Sequence, residues 1–180
     1  TEALYGKDMA DMEHVIDRDE LKQEYAELAP DLQRLSLKPG TLANPDDASS
    51  ATVYTKGAWF LQFLEKRFGR EVFDPWLKGY FDHFAFQSIT TEQFLAYAKD
   101  NLFDKHPNRV TEAEIQEWIY APGIPASAPQ VQSRGFSNTD TARIAWVGSG
   151  QLPNPQLTKE WVTQQWVHFI EGMGDKLTVE

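Results

Sequence analysis

The run Thr52-Val53-Tyr54-Thr55-Lys56-Gly57-Ala58-Trp59-Phe60-Leu61-Gln62-Phe63-Leu64-Glu65-Lys66-Arg67-Phe68 constrains the fold more than any other stretch. Tyr54, Gly57, Leu61, Leu64 and Phe68 recur at steps of three and four, the spacing of one helix face. Val53, Trp59, Phe60 and Phe63 carry apolar surface around most of the remaining circumference. A helix that is apolar nearly all round needs neighbours on several sides, so 52–68 is expected to be the buried central helix, with Gln62, Glu65, Lys66 and Arg67 as its polar positions. Its first turn differs. Tyr54 brings a hydroxyl donor just after an acidic loop of small residues, and either anchors the core with that hydroxyl at the rim or faces a substrate.

Neighbours with the right period are present. Upstream, Tyr5, Met9, Met12, Ile16, Leu21, Tyr25 and Leu28 predict one long or two short amphipathic helices, with Gly6 and Asp17-Arg18-Asp19 as candidate breaks. The acids of that region, with His14, read as a solvated face. Residues 37–50, rich in Pro, Asp and Ser, form a long irregular segment in which Asp46 and Asp47 either start a turn ahead of the next helix or line a pocket. Downstream, Asp74-Pro75 predicts a helix start with Asp as N-cap. Thr90 with Gln93 and Thr111 with Glu114 predict capping boxes, opening helices that bury Phe94, Leu95, Ala98 and Leu102, then Ile115, Trp118 and Ile119.

From Ala121-Pro122-Gly123 to about Asn138 the chain is rich in Pro, Ser, Gln and Gly without periodicity and reads as a boundary. Beyond it 143–147 is too short to type. Asn154-Pro155 predicts one helix carrying Leu157, Trp161, Val162, Trp166, Phe169 and Ile170 on its apolar face. The expected organisation is all-α: a helical domain over 1–125, a linker over 126–138, and the beginning of a helical C-terminal domain over 139–180.

Several function classes drop out on composition. A formal charge of −10 with no basic tract argues against nucleic acid or an anionic membrane surface as partner. The absence of cysteine excludes disulfides, Cys-type zinc sites and thiol catalysis, and leaves the compartment open between cytoplasm and periplasm. No apolar run approaches bilayer length. The start, Thr1-Glu2-Ala3-Leu4-Tyr5, is neither an initiator methionine nor a signal peptide and reads as the middle of a helix, so the chain is expected to be a fragment or processed product. There is no H-E-x-x-H, no G-x-S-x-G and no Gly-rich phosphate loop, and His14, His83, His106 and His168 are far apart. On residues alone Tyr54 as a core anchor is the simpler reading. A self-contained helical interaction domain, holding a partner helix on Trp161, Trp166 and Phe169, is the competing reading to any enzyme.

Three motifs shift that balance. Tyr54-x-Lys56-Gly57 followed by Phe60-Leu61-x-Phe63-Leu64-Glu65, then Phe81-x-x-Phe84-x-Phe86-x-Ser88-Ile89-Thr90-Thr91, then Trp118-x-Tyr120-x-Pro122-Gly123-x-Pro125, together resemble zinc aminopeptidases of the aminopeptidase N kind, and within them leukotriene hydrolase and its bacterial relatives. The resemblance covers about 1–125 and extends more loosely to the terminal helix. It implies the helical half of a thermolysin-like catalytic domain, followed by the start of a C-terminal helical domain. It also implies a peptide-cleaving zinc enzyme whose metal ligands and general-base glutamate lie upstream of Thr1, so that zinc belongs to the parent enzyme and none is expected on this piece, which would be inactive alone. Tyr54 matches the family's oxyanion-stabilising tyrosine. Asp46, with Ala48 and Ser49, falls on the substrate-binding loop, and Ser49 stands where the leukotriene hydrolase branch can carry a second tyrosine, a departure that favours peptide over epoxide chemistry. The implied partners are peptide substrates and the missing N-terminal part of the same enzyme. Gly57 is read as permitting close packing one turn above Tyr54, and Lys56 as covering an acidic loop.

Overall fold

The structure is a computed structural model that describes residues 2–37, 40 and 51–174. Among the described residues the regular elements are helical and no strand occurs. Their contacts gather into two units, one from the residues up to Arg18 and from Gln130 onward, the other Asp19–Pro129.

Gly6, at φ 83°, parts a short helix α1 (Glu2–Tyr5) from the long α2 (Lys7–Glu27). Asp17-Arg18-Asp19, a candidate break by composition, lies inside α2 without interrupting it. A 3₁₀ turn follows at Pro30–Gln33. The central run does not open as an α-helix: Thr52–Lys56 is a π-helical turn that passes into α3 (Gly57–Phe68). Gly69, at φ 76°, ends α3, and α4 (Arg70–His83) begins at once. Pro75 is therefore interior to α4 rather than in its first turn, which corrects the expected start at Asp74. The left-handed Gly69 turns the chain sooner than the Asp-Pro signal, and the missing Pro75 N–H costs α4 one bond.

Both expected capping boxes form, ahead of α5 (Thr91–Ala98) and α6 (Glu112–Tyr120). The Thr111 hydroxyl accepts from the Glu114 N–H at 3.2 Å while the Glu114 carboxylate accepts from the Thr111 N–H at 2.9 Å. Replacing Thr111 by Ala is expected to cost about 1 kcal/mol in urea unfolding, whereas Thr111→Ser restores most of it.

The core of the Asp19–Pro129 unit is built on α3. Trp59, Phe60, Phe63, Leu64 and Phe68 are buried against Phe73 and Trp76 of α4, Ala98 of α5, and Ile115, Trp118 and Ile119 of α6. These are the several neighbours that an almost wholly apolar helix demands. Trp118 sits at the centre, its ring 5.5 Å from Phe63, 5.6 Å from Phe60 and 6.5 Å from Trp59. Two of the buried indoles are satisfied, Trp59 donating to the Pro129 carbonyl at 2.8 Å and Trp118 to the Ser127 hydroxyl at 3.2 Å, whereas the buried Trp76 N–H has no hydrogen-bond partner among the described residues.

In the other unit α7 spans Arg134–Ser149, with Ser133 as its N-cap. It takes in 143–147 and begins inside the aperiodic 126–138 segment. The single helix expected from Asn154 is two: α8 (Pro155–Thr158) and α9 (Thr163–Glu171). Val162 stands between them with its N–H bonded to the Gln165 side chain at 3.2 Å, a local cap that restarts the helix. Trp161, Phe169 and Met173 are buried together with Ala142 and Trp146 against them, so two of the aromatics assigned to a partner face belong to this unit's own core. The acids of α2 are not all solvated either. Asp8 accepts from the Gly135 N–H at 3.3 Å and Glu13 from Gln164 at 2.7 Å. Among the described residues no helix is long and apolar enough to cross a membrane.

Candidate active-site turn

The π turn divides its side chains sharply. Thr52 and Lys56, four residues apart on one face, are buried, whereas Tyr54 on the opposite face is 70% exposed. Tyr54 is therefore not a core anchor. It lines the rim of an open groove of ≈ 510 Å³ with Val53, Leu61, Tyr80, Thr90 and Phe94. Among the described residues that line this groove no side chain is charged. All three sequence motifs contribute: Tyr54, Gly57, Phe60 and Leu61 from the first, Ile89 to Thr91 from the second, Ile119 from within the third. A second cavity of ≈ 510 Å³, lined by Leu95, Lys99, Phe103 and Ile115 among others, holds no residue of those motifs, and its Lys99 is paired with Asp104 at 2.6 Å.

Lys56 is the residue that sequence reasoning misplaced. It is fully buried rather than spread over an acidic loop, and its Nζ donates to the Gln33 and Ala121 carbonyls, each at 2.9 Å. The same segments are tied by further bonds. The Ser36 N–H reaches the Ile119 carbonyl at 3.0 Å, and Arg34 donates to the Tyr120 carbonyl. Gln33 in turn donates to the Tyr25 and Leu28 carbonyls at 3.1 and 2.7 Å, closing the end of α2 onto the knot. A clue existed in the sequence: Lys56 shares a face with Phe60 in a stripe that has no other charge nearby. Among the described residues a Cβ at Gly57 would meet Leu35, at an ordinary 3.9 Å, so none of them requires glycine there for close packing.

Burial pushes the Lys56 ammonium down to about 8; Arg34 adds to the shift and Glu117 opposes it. Between that value and the ordinary lysine range the unfolded chain holds the extra proton, so folding stability rises with pH across this window. The neutral amine keeps two N–H donors, one for each carbonyl. Urea unfolding at pH 7.5 and 10 is expected to show a gain on the order of 2 kcal/mol relative to Lys56→Met measured in parallel.

Asp46, Ala48 and Ser49 lie outside the described residues, which leaves Tyr54 as the described member of the expected site. Among the described residues no three His, Cys, Asp or Glu side chains gather as a metal site would require, so the described residues do not themselves fit zinc.

Residues 2–118 match the peptidase family M1 domain. The chain belongs to peptidase family M1. It is 38% identical over 117 residues to leucine aminopeptidase 2 of Yarrowia lipolytica, covering 62% of this chain and 17% of that protein. It is 30% identical over 152 residues to aminopeptidase B of Rattus norvegicus, covering 79% of this chain and 23% of the relative. The chain thus spans about a fifth of the length of these curated relatives. In fold it is similar to yeast LTA4 hydrolase solved in complex with bestatin, with a TM-score of 0.83 at 24% identity over 99% of this chain and 30% of that one. M1 aminopeptidases are zinc enzymes.

Proposed function

We propose that this M1 chain is part of a zinc aminopeptidase that removes N-terminal residues from peptides, and that it contributes Tyr54 as the donor to the reaction's oxyanion. One observation carries this reading: Tyr54 is held outward on a turn whose Thr52 and Lys56 are buried, at the rim of a groove that has no charged side chain among its described lining residues. When water adds to a peptide carbonyl, negative charge develops on the carbonyl oxygen. A neutral phenol placed there donates a hydrogen bond that strengthens as the charge grows, and it does so without giving up its proton.

The names of the aligned relatives, leucine aminopeptidase and aminopeptidase B, support peptide substrates with a free N-terminus. In this reading the loop carrying Asp46, Ala48 and Ser49 supplies the substrate wall, and the part of the enzyme that precedes Thr1 supplies the metal ligands and general base. The isolated chain is then inactive. The test is Tyr54→Phe in the full-length enzyme, assayed for turnover of an aminoacyl substrate and for zinc content, with the isolated chain assayed beside it. Unchanged turnover in the variant overturns the role of Tyr54, and turnover by the isolated chain overturns its dependence on the preceding part.

A further inference from the structure

We infer that Lys56 is a positioning residue for the Tyr54 hydroxyl: its ammonium, lodged between the Gln33 and Ala121 carbonyls, locks the π-helical turn in the geometry that presents Tyr54 to the groove. This inference rests on the reading of Tyr54 as oxyanion donor. The bonds from Lys56 Nζ, both 2.9 Å, span 23 and 65 residues of sequence and pin the turn to the 3₁₀ segment before it and to the end of α6 after it. Lys56 and Tyr54 belong to the same five-residue π turn, Thr52–Lys56, so a rotation of that turn moves both. π turns carry poorer local bonding than α-helix and relax toward it unless held from outside. Here the hold from outside is the pair of Lys56 bonds to the Gln33 and Ala121 carbonyls, and local contacts add to it. The Gly57 N–H is bonded back to the Tyr54 carbonyl, and the buried Lys56 and Thr52 side chains fix the inner face. Without the ammonium, the Ala121 carbonyl loses its Lys56 donor, while the Gln33 carbonyl retains the Tyr25 hydroxyl at 3.3 Å. The turn then has a reason to shift, and Tyr54 shifts with it.

A positioning role differs from general stabilisation in its kinetics. The test is a double-mutant cycle in the full-length enzyme with Tyr54→Phe and Lys56→Met, and with Lys56→Gln as a variant that keeps a donor, each checked for folding by circular dichroism and for zinc content. Lys56→Met alone is expected to lower kcat about tenfold or more with KM little changed, Lys56→Gln less, and Lys56→Met to have almost no further effect once Tyr54 is Phe. An equal loss from Lys56→Met in both backgrounds overturns the inference while leaving Tyr54's role intact. Unchanged turnover in Tyr54→Phe overturns that role and this inference with it. Failure of both Lys56 variants to fold makes the lysine a folding element and also overturns it.

Discussion

Tyr54→Phe in the full-length enzyme is expected to lower kcat by about a hundredfold or more, with zinc content unchanged and KM close to wild type. The substitution removes one oxygen and keeps the ring, so the apolar rim Tyr54 forms along the groove survives. What disappears is a donor whose value lies in the transition state. A hydrogen bond equally strong to substrate and transition state would appear in KM; one that strengthens with the developing charge appears in kcat. The exposure of Tyr54 makes the experiment clean, because a residue so open to solvent contributes little to core packing and its hydroxyl removal should leave the melting temperature nearly unchanged. Turnover equal to wild type would show that the hydroxyl is not the donor.

The largest stability effect is expected at Trp118. Truncation to Ala should destabilise the chain by about 3–5 kcal/mol, read as a fall in the urea midpoint at an unchanged m-value. Trp118 has no exposed surface and is packed among Trp59, Phe60 and Phe63 of α3, so its loss opens a cavity that three rigid rings cannot fill without leaving their rotamers. The Ser127 hydroxyl also loses its donor. Trp166→Ala is the matched control: with 40% of its surface exposed it should cost well under half as much, about 1 kcal/mol. A Trp118 variant no less stable than the Trp166 variant would mean that α6 is not packed on α3 as described.

Much of this was legible without coordinates. The apolar run 52–68 demanded neighbours on several sides, and α4, α5 and α6 provide them. The capping boxes at Thr90 and Thr111 follow from contacts three residues apart and formed as expected. Errors gathered where a strong local signal met a stronger one nearby. Asp74-Pro75 signals a start, but the left-handed Gly69 had already turned the chain. Asn154-Pro155 signals a start too, and α8 obeys it, yet Gln165 caps the Val162 backbone and begins a second helix. At the site, the motif around Tyr54 singled out that tyrosine, and the resemblance to zinc aminopeptidases gave it the role proposed for it. Periodicity alone counted Tyr54 and Gly57 onto the same apolar stripe as Leu61 and missed the change of pitch between them.

The sequence by itself determined the all-helical class, the two capping boxes, the members of the α3 core and the family, because periodicity, capping and motif order are written in residues a few positions apart or in a fixed order along the chain. Only the tertiary structure decided which way the first turn of the central run faces. Tyr54 points out and Lys56 is buried because two carbonyls, 23 and 65 residues away, converge on the lysine, and no local pattern encodes where such distant acceptors will meet.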